Sequence, residues 1–489
     1  MKNLIKLLYG VAASVAVGGS AHAFSLAGPP ASWMTADMNY DPAFGPMTPG
    51  EGYRYNSPVL VYGFDQSFVE FFGAEGVAAV ESAIKILNDL PAASALDPAN
   101  YPTSTARVNQ SARRLRLFDL KTCVLSALVE NMGLVAPERY VWTLRQVERP
   151  NEFTRNFLTL RRNYDPFTVL PSSFINGTLY TFQIQQTAPD VWEAVEISVD
   201  PAEPNVSVVG FLGGETDSGV GRIDPRAQRI YNSRGLFFSG LTQDDVGGLR
   251  YLYHPGTVAV EQLPAGTTLR TSSSVDQITS GGGGGQSAWT PVYGVGVATG
   301  GTGGATNTTG VVDIGVRRGV DKVTFVRGDV GNQVLGTFRR PVVVRYSDSV
   351  STNGVGGTFR TQNVERTMAA PDILFTAEDL GTGGGVPVPV FLARTVAYQN
   401  LGPLNSNQGG AGSVGALGPG IKDSATTVIA LARVGLTELN SSSEDNLTEE
   451  QGFTSYMWGS FDGSTNAPIV YPVGRVNLRM VESIVRNRN

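Results

Sequence analysis

The feature that most limits the fold is a change of character near residue 256. Before it, helical and strand periodicities alternate; after it come short β-branched runs parted by Gly, Ser, Thr and Asn, with no helical stretch. The 59 glycines and the 16% of charged residues agree with this, because long surface helices need charge and are weakened by glycine. The expected fold class is an α+β N-terminal domain over residues 24–256, followed by an all-β, Gly-rich domain over 291–489. The second is expected as a sandwich or an irregular barrel. A linker or long Gly/Ser loop over 257–290, containing Ser280 to Gly285, joins the two.

In the first half, Val59 to Phe64 reads as a strand. Ala74 to Leu90 reads as a helix with Val77, Val80, Ile84 and Leu87 on one side, stopped by Pro91. A second helix begins at Asp119, an N-cap, and runs through Val124, Leu128 and Met132 to Gly133, whose tolerance of positive φ suits a helix end. Tyr140 to Val147, Leu179 to Gln185 and Val191 to Val199 are expected strands. Thr242 with Asp245 three residues on is an acidic capping box that opens a third helix through Val246, Leu249 and Tyr253. In the second half the expected strands are Val311 to Val316, Lys322 to Arg327, Pro341 to Tyr346, Val386 to Val396, Thr427 to Val434 and Arg475 to Val481. Pro387 and Pro389 put the fourth of these at an edge.

The N-terminus reads as an export signal. Lys2 and Lys6 precede an apolar stretch from Leu7 to Val17, and Ala21-His22-Ala23 is a small-x-small cleavage site with Phe24 as the new first residue. No later run is long and apolar enough to span a bilayer, so no transmembrane segment is expected after cleavage. Loss of the two lysines takes the formal net charge from −6 to −8, and no Lys/Arg block appears, which argues against a nucleic-acid partner. His22 leaves with the leader, so His254 is the last histidine, and Cys123 is the single cysteine. No internal disulfide and no Cys-rich zinc site can form.

Leu241-Thr242-Gln243-Asp244-Asp245-Val246-Gly247-Gly248-Leu249-Arg250-Tyr251-Leu252-Tyr253 resembles the closing helix of matrixin-type metalloprotease domains of the metzincin class, which read like L-S-Q-D-D-I-x-G-I-Q-x-L-Y-G. Phe64-Asp65 and the helix after it resemble that family's opening strand and helix. The resemblance implies a matrixin-like framework over roughly residues 55 to 255. The family's chemistry needs H-E-x-x-H-x-x-G-x-x-H, with two histidines a helical turn apart on one metal and a glutamate base between them. Aligning Gly133 with the motif's glycine puts Ser126, Glu130 and Ala136 at the ligand positions and Ala127 at the base position. None supplies an imidazole. Ile230, before Tyr231, stands where the family has the methionine of its Met-turn. These five residues mark a relic cleft without its metal centre.

Other constellations lead elsewhere. His254 ends the third helix, where a partial positive charge complements the helix dipole. Asp217-Ser218-Gly219 has no partner Asp-Thr-Gly and reads as a turn. Gly300 to Gly304 and Gly381 to Gly385 lack the lysine and helix of a phosphate loop. Glu444, Asp445, Glu449 and Glu450 lack the spacing of a calcium loop. Glu193 and Glu196 flank Trp192, which opens a carboxylate-based route to polysaccharide hydrolysis, although positions three apart on a strand face opposite ways.

The expectation is a non-catalytic exported protein with no cofactor and no metal, at the cell surface, in the periplasm or in the medium, taking an extracellular protein or glycan ligand. A polysaccharide hydrolase and a self-assembling surface or appendage protein are the alternatives.

Overall fold

The computed structural model describes residues 23–28, 45–47, 49, 53–115, 117–151, 154–189, 191–199, 207–211, 234–264, 266–269, 314–328, 333–334, 337–338, 340–351, 357–377, 426–431 and 457–474. It is a mixed α and β fold with several small sheets, none of which closes into a barrel among the described residues.

A four-stranded parallel sheet lies at the centre. Its strands are β1 (Val59–Phe64), β2 (Thr324–Arg327), β3 (Ile373–Thr376) and β4 (Thr427–Ala430), in spatial order β2-β1-β3-β4. Successive side chains of a strand face opposite ways, and β1 uses both faces. Leu60, Tyr62 and Phe64 join the main core, whereas Val61 meets Phe338 and Met368 on the other side. Strands buried on both faces read as continuous apolar runs, which is why Val-Leu-Val-Tyr-Gly-Phe shows no alternation.

Three helices contribute to the main core. Helix α1 (Gln66–Asn88) starts at Asp65, whose carboxylate accepts from the Phe68 amide, and it is broken at Gly73, where φ is 65°. The expected helix from Ala74 is therefore the second limb of a longer element. Its first limb brings Phe68 onto Phe64 and Phe375, with ring centroids 5.0 and 6.3 Å apart, and sets Phe72 against Phe68, Trp458 and Tyr471. Helix α2 (Leu120–Asn131) is buried on nearly every side, as Leu120, Cys123, Val124, Leu125, Ala127, Leu128 and Val129 attest. A helix apolar all round belongs in a core. Cys123 is one of these packing residues. Helix α3 (Gln243–Tyr253) opens with the expected capping box, Thr242 and Asp245 each bonding the other's backbone amide.

A five-stranded antiparallel sheet packs behind the parallel one, in the order Val258–Gln262, Ile314–Arg318, Val342–Ser351, Arg360–Met368, Thr267–Leu269. Its first and last strands fall within the span expected as linker, so residues 258–262 and 267–269 are sheet rather than loop. The compositional change near residue 256 is not matched by a break in hydrogen bonding, since β1 pairs with strands from the second half on both its edges. Buried charges tie this sheet to α3. Arg54 bonds Glu261 at 2.7 Å and the carbonyls of Leu252 and Thr257, and Arg317 faces Asp348 at 3.2 Å. Of the other second-half expectations, Val386 to Val396 and Arg475 to Val481 lie outside the described residues.

Two antiparallel ribbons stand beside this body. One pairs Thr143–Glu148 with Asn156–Leu160; the other pairs Thr178–Ala188 with Val191–Ser198. Residues 137–140, expected partly as strand, form a short helix with Pro137 at its start.

Candidate functional site

The site to which the sequence points is the end of α2 and the turn that follows. Asp119 caps the helix, its carboxylate accepting from the amide and hydroxyl of Thr122 at 2.9 and 2.6 Å. At the other end Gly133 takes a φ of 112°, and a Cβ there would stand 2.0 Å from the Tyr53 carbonyl oxygen. Glycine is required at this turn, which sends the chain through Leu134 to Ala136 and past the start of α3.

Ser126, Ala127 and Ala136 are all buried, and Glu130 is half-buried. What covers the α2 face is a strap, the segment from Ser207 to Gly210. Val208 and Val209 are inserted into the main core, and Ser126 Oγ donates to the Val209 carbonyl at 3.3 Å. Two buried carboxylates hold the segment. Glu138 accepts from the Ser207 amide at 2.6 Å and from its hydroxyl at 3.0 Å. Asp245 accepts from the amides of Val208 and Val209 at 2.9 and 3.2 Å, in addition to its capping role. Burial raises the Asp245 carboxyl above the ordinary range, against the pull of the Thr242 hydroxyl and the Val208, Thr242 and Val209 amides. Gly210 closes the turn; a Cβ there would meet Glu138 Oε2 at 2.2 Å.

Beside the strap, Asn176 exchanges hydrogen bonds with Asp244, and its amide nitrogen reaches Thr242 Oγ1 at 3.1 Å. The acidic pair at the start of α3 thus serves both the cap and two loops. Charge-assisted bonds to backbone amides are strong where solvent is excluded, so these acids fasten the loops across the helix end.

The expected cleft residues are brought together in part. Ser126, Ala127, Glu130 and Ala136 share the α2 end with the α3 cap, whereas Ile230 lies outside the described residues. Glu138, Ser207 and Asn176 were not singled out by the sequence, and no local signal marks them, because their partners lie 66 to 69 residues away. Hydroxyl, methyl and one carboxyl group at the ligand positions offer a metal a single good donor. Among the described residues, no three His, Cys, Asp or Glu side chains come together in a way that could hold a metal ion.

His254 is the C-cap of α3, its amide bonding the Arg250 carbonyl, and its Nδ1 accepts from the Gly256 amide at 2.9 Å. Glu193 is buried in its ribbon, and positions 193 and 196 are three apart in an unbroken register, on opposite faces. Asp217 to Gly219, Gly300 to Gly304, Gly381 to Gly385 and the acidic group at 444–450 lie outside the described residues. Comparison of the chain with protein-family models, curated proteins and solved structures gives no match.

Proposed function

We propose that this chain is a non-catalytic exported binding protein whose first half keeps a matrixin-like framework without a metal centre. The observation that carries the reading is the filled α2 face. Val208 and Val209 occupy it, and two buried acids are spent on holding the segment there, Glu138 through Ser207 and Asp245 through the two valine amides. A catalytic face needs an open position for water and substrate, and a buried carboxylate saturated by amides is a poor base. The framework itself is supported by the order of strand, α1, capped α2, glycine turn and boxed α3. In this reading the β-rich second half serves display or ligand capture. The hydrolase alternative has less behind it, because position 193 is buried and position 196 belongs to the other face of the strand.

The test uses protein beginning at Phe24. It is dialysed against zinc and then assayed against a mixed peptide library. The expected result is less than stoichiometric zinc and no cleavage. One tightly held zinc per chain, or specific peptide hydrolysis, would overturn the proposal.

A further inference from the structure

The chain from Asn163 to Ser172 folds back on itself as a short finger. The Ser172 amide donates to the Asn163 carbonyl at 2.9 Å, Tyr164 bridges to Pro171, and the Asp165 amide donates to the Leu170 carbonyl at 2.8 Å. At the tip, one oxygen of the buried Asp165 carboxylate accepts from the amides of Phe167 and Thr168 at 3.0 and 2.6 Å and from the Thr168 hydroxyl at 2.9 Å. Pro166 seats the finger on α3, where a Cβ at Gly247 would stand 2.3 Å from the proline's own Cβ. The tip is thus clamped from within and anchored to a helix of the core.

What the finger displays is apolar. Between Pro166 and Pro171 the sequence is Phe-Thr-Val-Leu, with no charge. Val169 turns inward and packs against the main core with φ at 58°; of the three non-glycine residues at positive φ among the described residues it alone is β-branched. Such a conformation is strained for a branched side chain. Phe167 and Leu170 are left outside, 46% and 64% exposed. Their backbone bonds would form with polar side chains as well, so folding alone does not account for two large apolar groups in water at a turn. A rigid tip of this kind suits binding, because the cost of ordering it is met before a partner arrives.

The same chain carries a matching recess. A groove of about 370 Å³ lies between the end of α1 and the approach to α3, lined by Ile86, Leu90, Tyr101, Pro102 and Leu241 and opening beside the exposed Ser239. Asp89, which also lines it, is engaged by Lys85. An apolar cavity of about 150 Å³ holds one benzene ring, so this groove has room for a phenyl ring and a leucine side chain together. Within one molecule the two features do not meet, because neither Phe167 nor Leu170 lines the groove and both are exposed. We propose that the finger of one copy of this chain seats Phe167 and Leu170 in the groove of a second copy. The inference goes beyond the binding-protein reading above and does not depend on it. A bilayer would need a broader apolar face flanked by cations, and the segment between the two prolines has none. A contact between two different patches leaves a finger and a groove unused at its ends, so it extends into a ring or a filament unless two copies insert into each other.

The test is sedentation-based: analytical ultracentrifugation of the wild type, of a finger variant, Phe167→Ser/Leu170→Ser, and of a groove variant, Ser239→Arg, over a wide range of concentration. The wild type should gain mass with concentration, and high salt should not prevent it. Each variant alone should associate at least about tenfold more weakly, as expected for losing the burial of one or two large apolar side chains. An equimolar mixture of the two variants should regain association, since the finger of one meets the groove of the other; regain also shows that both are folded. Leu170→Asp, at the most exposed of these positions, should weaken association as strongly and covers the case in which the double variant fails to fold. A wild type that stays monomeric throughout, variants that associate as the wild type does, or folded variants with wild-type urea midpoints that stay apart on mixing would overturn the inference. So would a monomeric wild type that sediments with phosphatidylglycerol vesicles through Leu170, which would assign the finger to a bilayer. Zinc uptake or peptide cleavage would defeat the non-catalytic reading and leave this result standing.

Discussion

Tyr253, the last residue of α3, donates its hydroxyl to the carbonyl oxygen of Met132, the C-cap of α2, at 2.8 Å. The same hydroxyl oxygen accepts from the Tyr55 amide at 3.3 Å. Carbonyls at a helix end have no intrahelical partner, so one phenol satisfies the end of α2 and fastens the segment before β1. Burial raises the Tyr253 phenol far above its ordinary range and keeps it a donor at any working pH. Tyr253→Phe is expected to lose about 1–3 kcal/mol, the cost of leaving buried backbone groups unpaired, measured as a lower urea midpoint at constant m. An unchanged midpoint would remove Tyr253 from the account.

Gly133→Ala should be more damaging than an ordinary helix-end substitution. It combines a φ of 112° with a Cβ only 2.0 Å from the Tyr53 carbonyl oxygen, so backbone would have to move against backbone. A loss on the order of 2 kcal/mol or more is expected in chemical denaturation. Gly177, also at positive φ but with open space around it, is the control: Gly177→Ala carries the torsional strain alone and should cost clearly less.

Asp119 gives the fold a dependence on pH. Burial pushes its carboxyl from 3.8 up to about 6, although the hydrogen bonds from Thr122 and Phe461 pull it down. A raised acid is preferred protonated by the folded state. Its effect is therefore most favourable below about pH 4, is lost as pH climbs to about 6, and is flat above. Asp119→Asn keeps an N-cap and removes the titration. Relative to its value at pH 4, the stability difference between variant and wild type should shift by about 3 kcal/mol in the variant's favour by pH 7, most of it between pH 4 and 6. A difference that stays constant with pH would contradict this.

Arg54 and Glu261 are both almost wholly buried and 2.7 Å apart. Arg54→Met strands the carboxylate of Glu261, whose own burial already opposes its ionised form, and should cost about 3–5 kcal/mol. Arg54→Met/Glu261→Met should recover most of that loss in thermal or urea unfolding. Equal destabilisation by the single and double variants would mean that the bonds from Arg54 to the Leu252 and Thr257 carbonyls matter more than the ion pair.

Local chemistry carried the reading of the helices, and distance in the chain limited the rest. The capping bonds of Asp119, Thr242 and Asp245 reach only three residues along the chain, so the caps of α2 and α3 could be read directly. The first limb of α1 was hidden because Gly73 interrupts the periodicity that Phe68 and Phe72 begin. Pairing of β1 with β2 and β3 spans more than half the chain, and apolar strands buried on both faces carry no register signal. The strap was illegible for a related reason: Ser207-Val208-Val209 is an ordinary sequence until Glu138 and Asp245 are brought to its amides.

Everything proposed for this site depends on the α2 face being shut by that strap in the native protein. The direct measurement is thiol labelling of Ser126→Cys on a Cys123→Ala background, under native conditions and with increasing urea. The account predicts that labelling without urea is slow and follows global unfolding, as for any side chain sealed in the core. Rapid, stoichiometric labelling of the folded protein would mean that the face is open, and the binding-scaffold reading would fall with it.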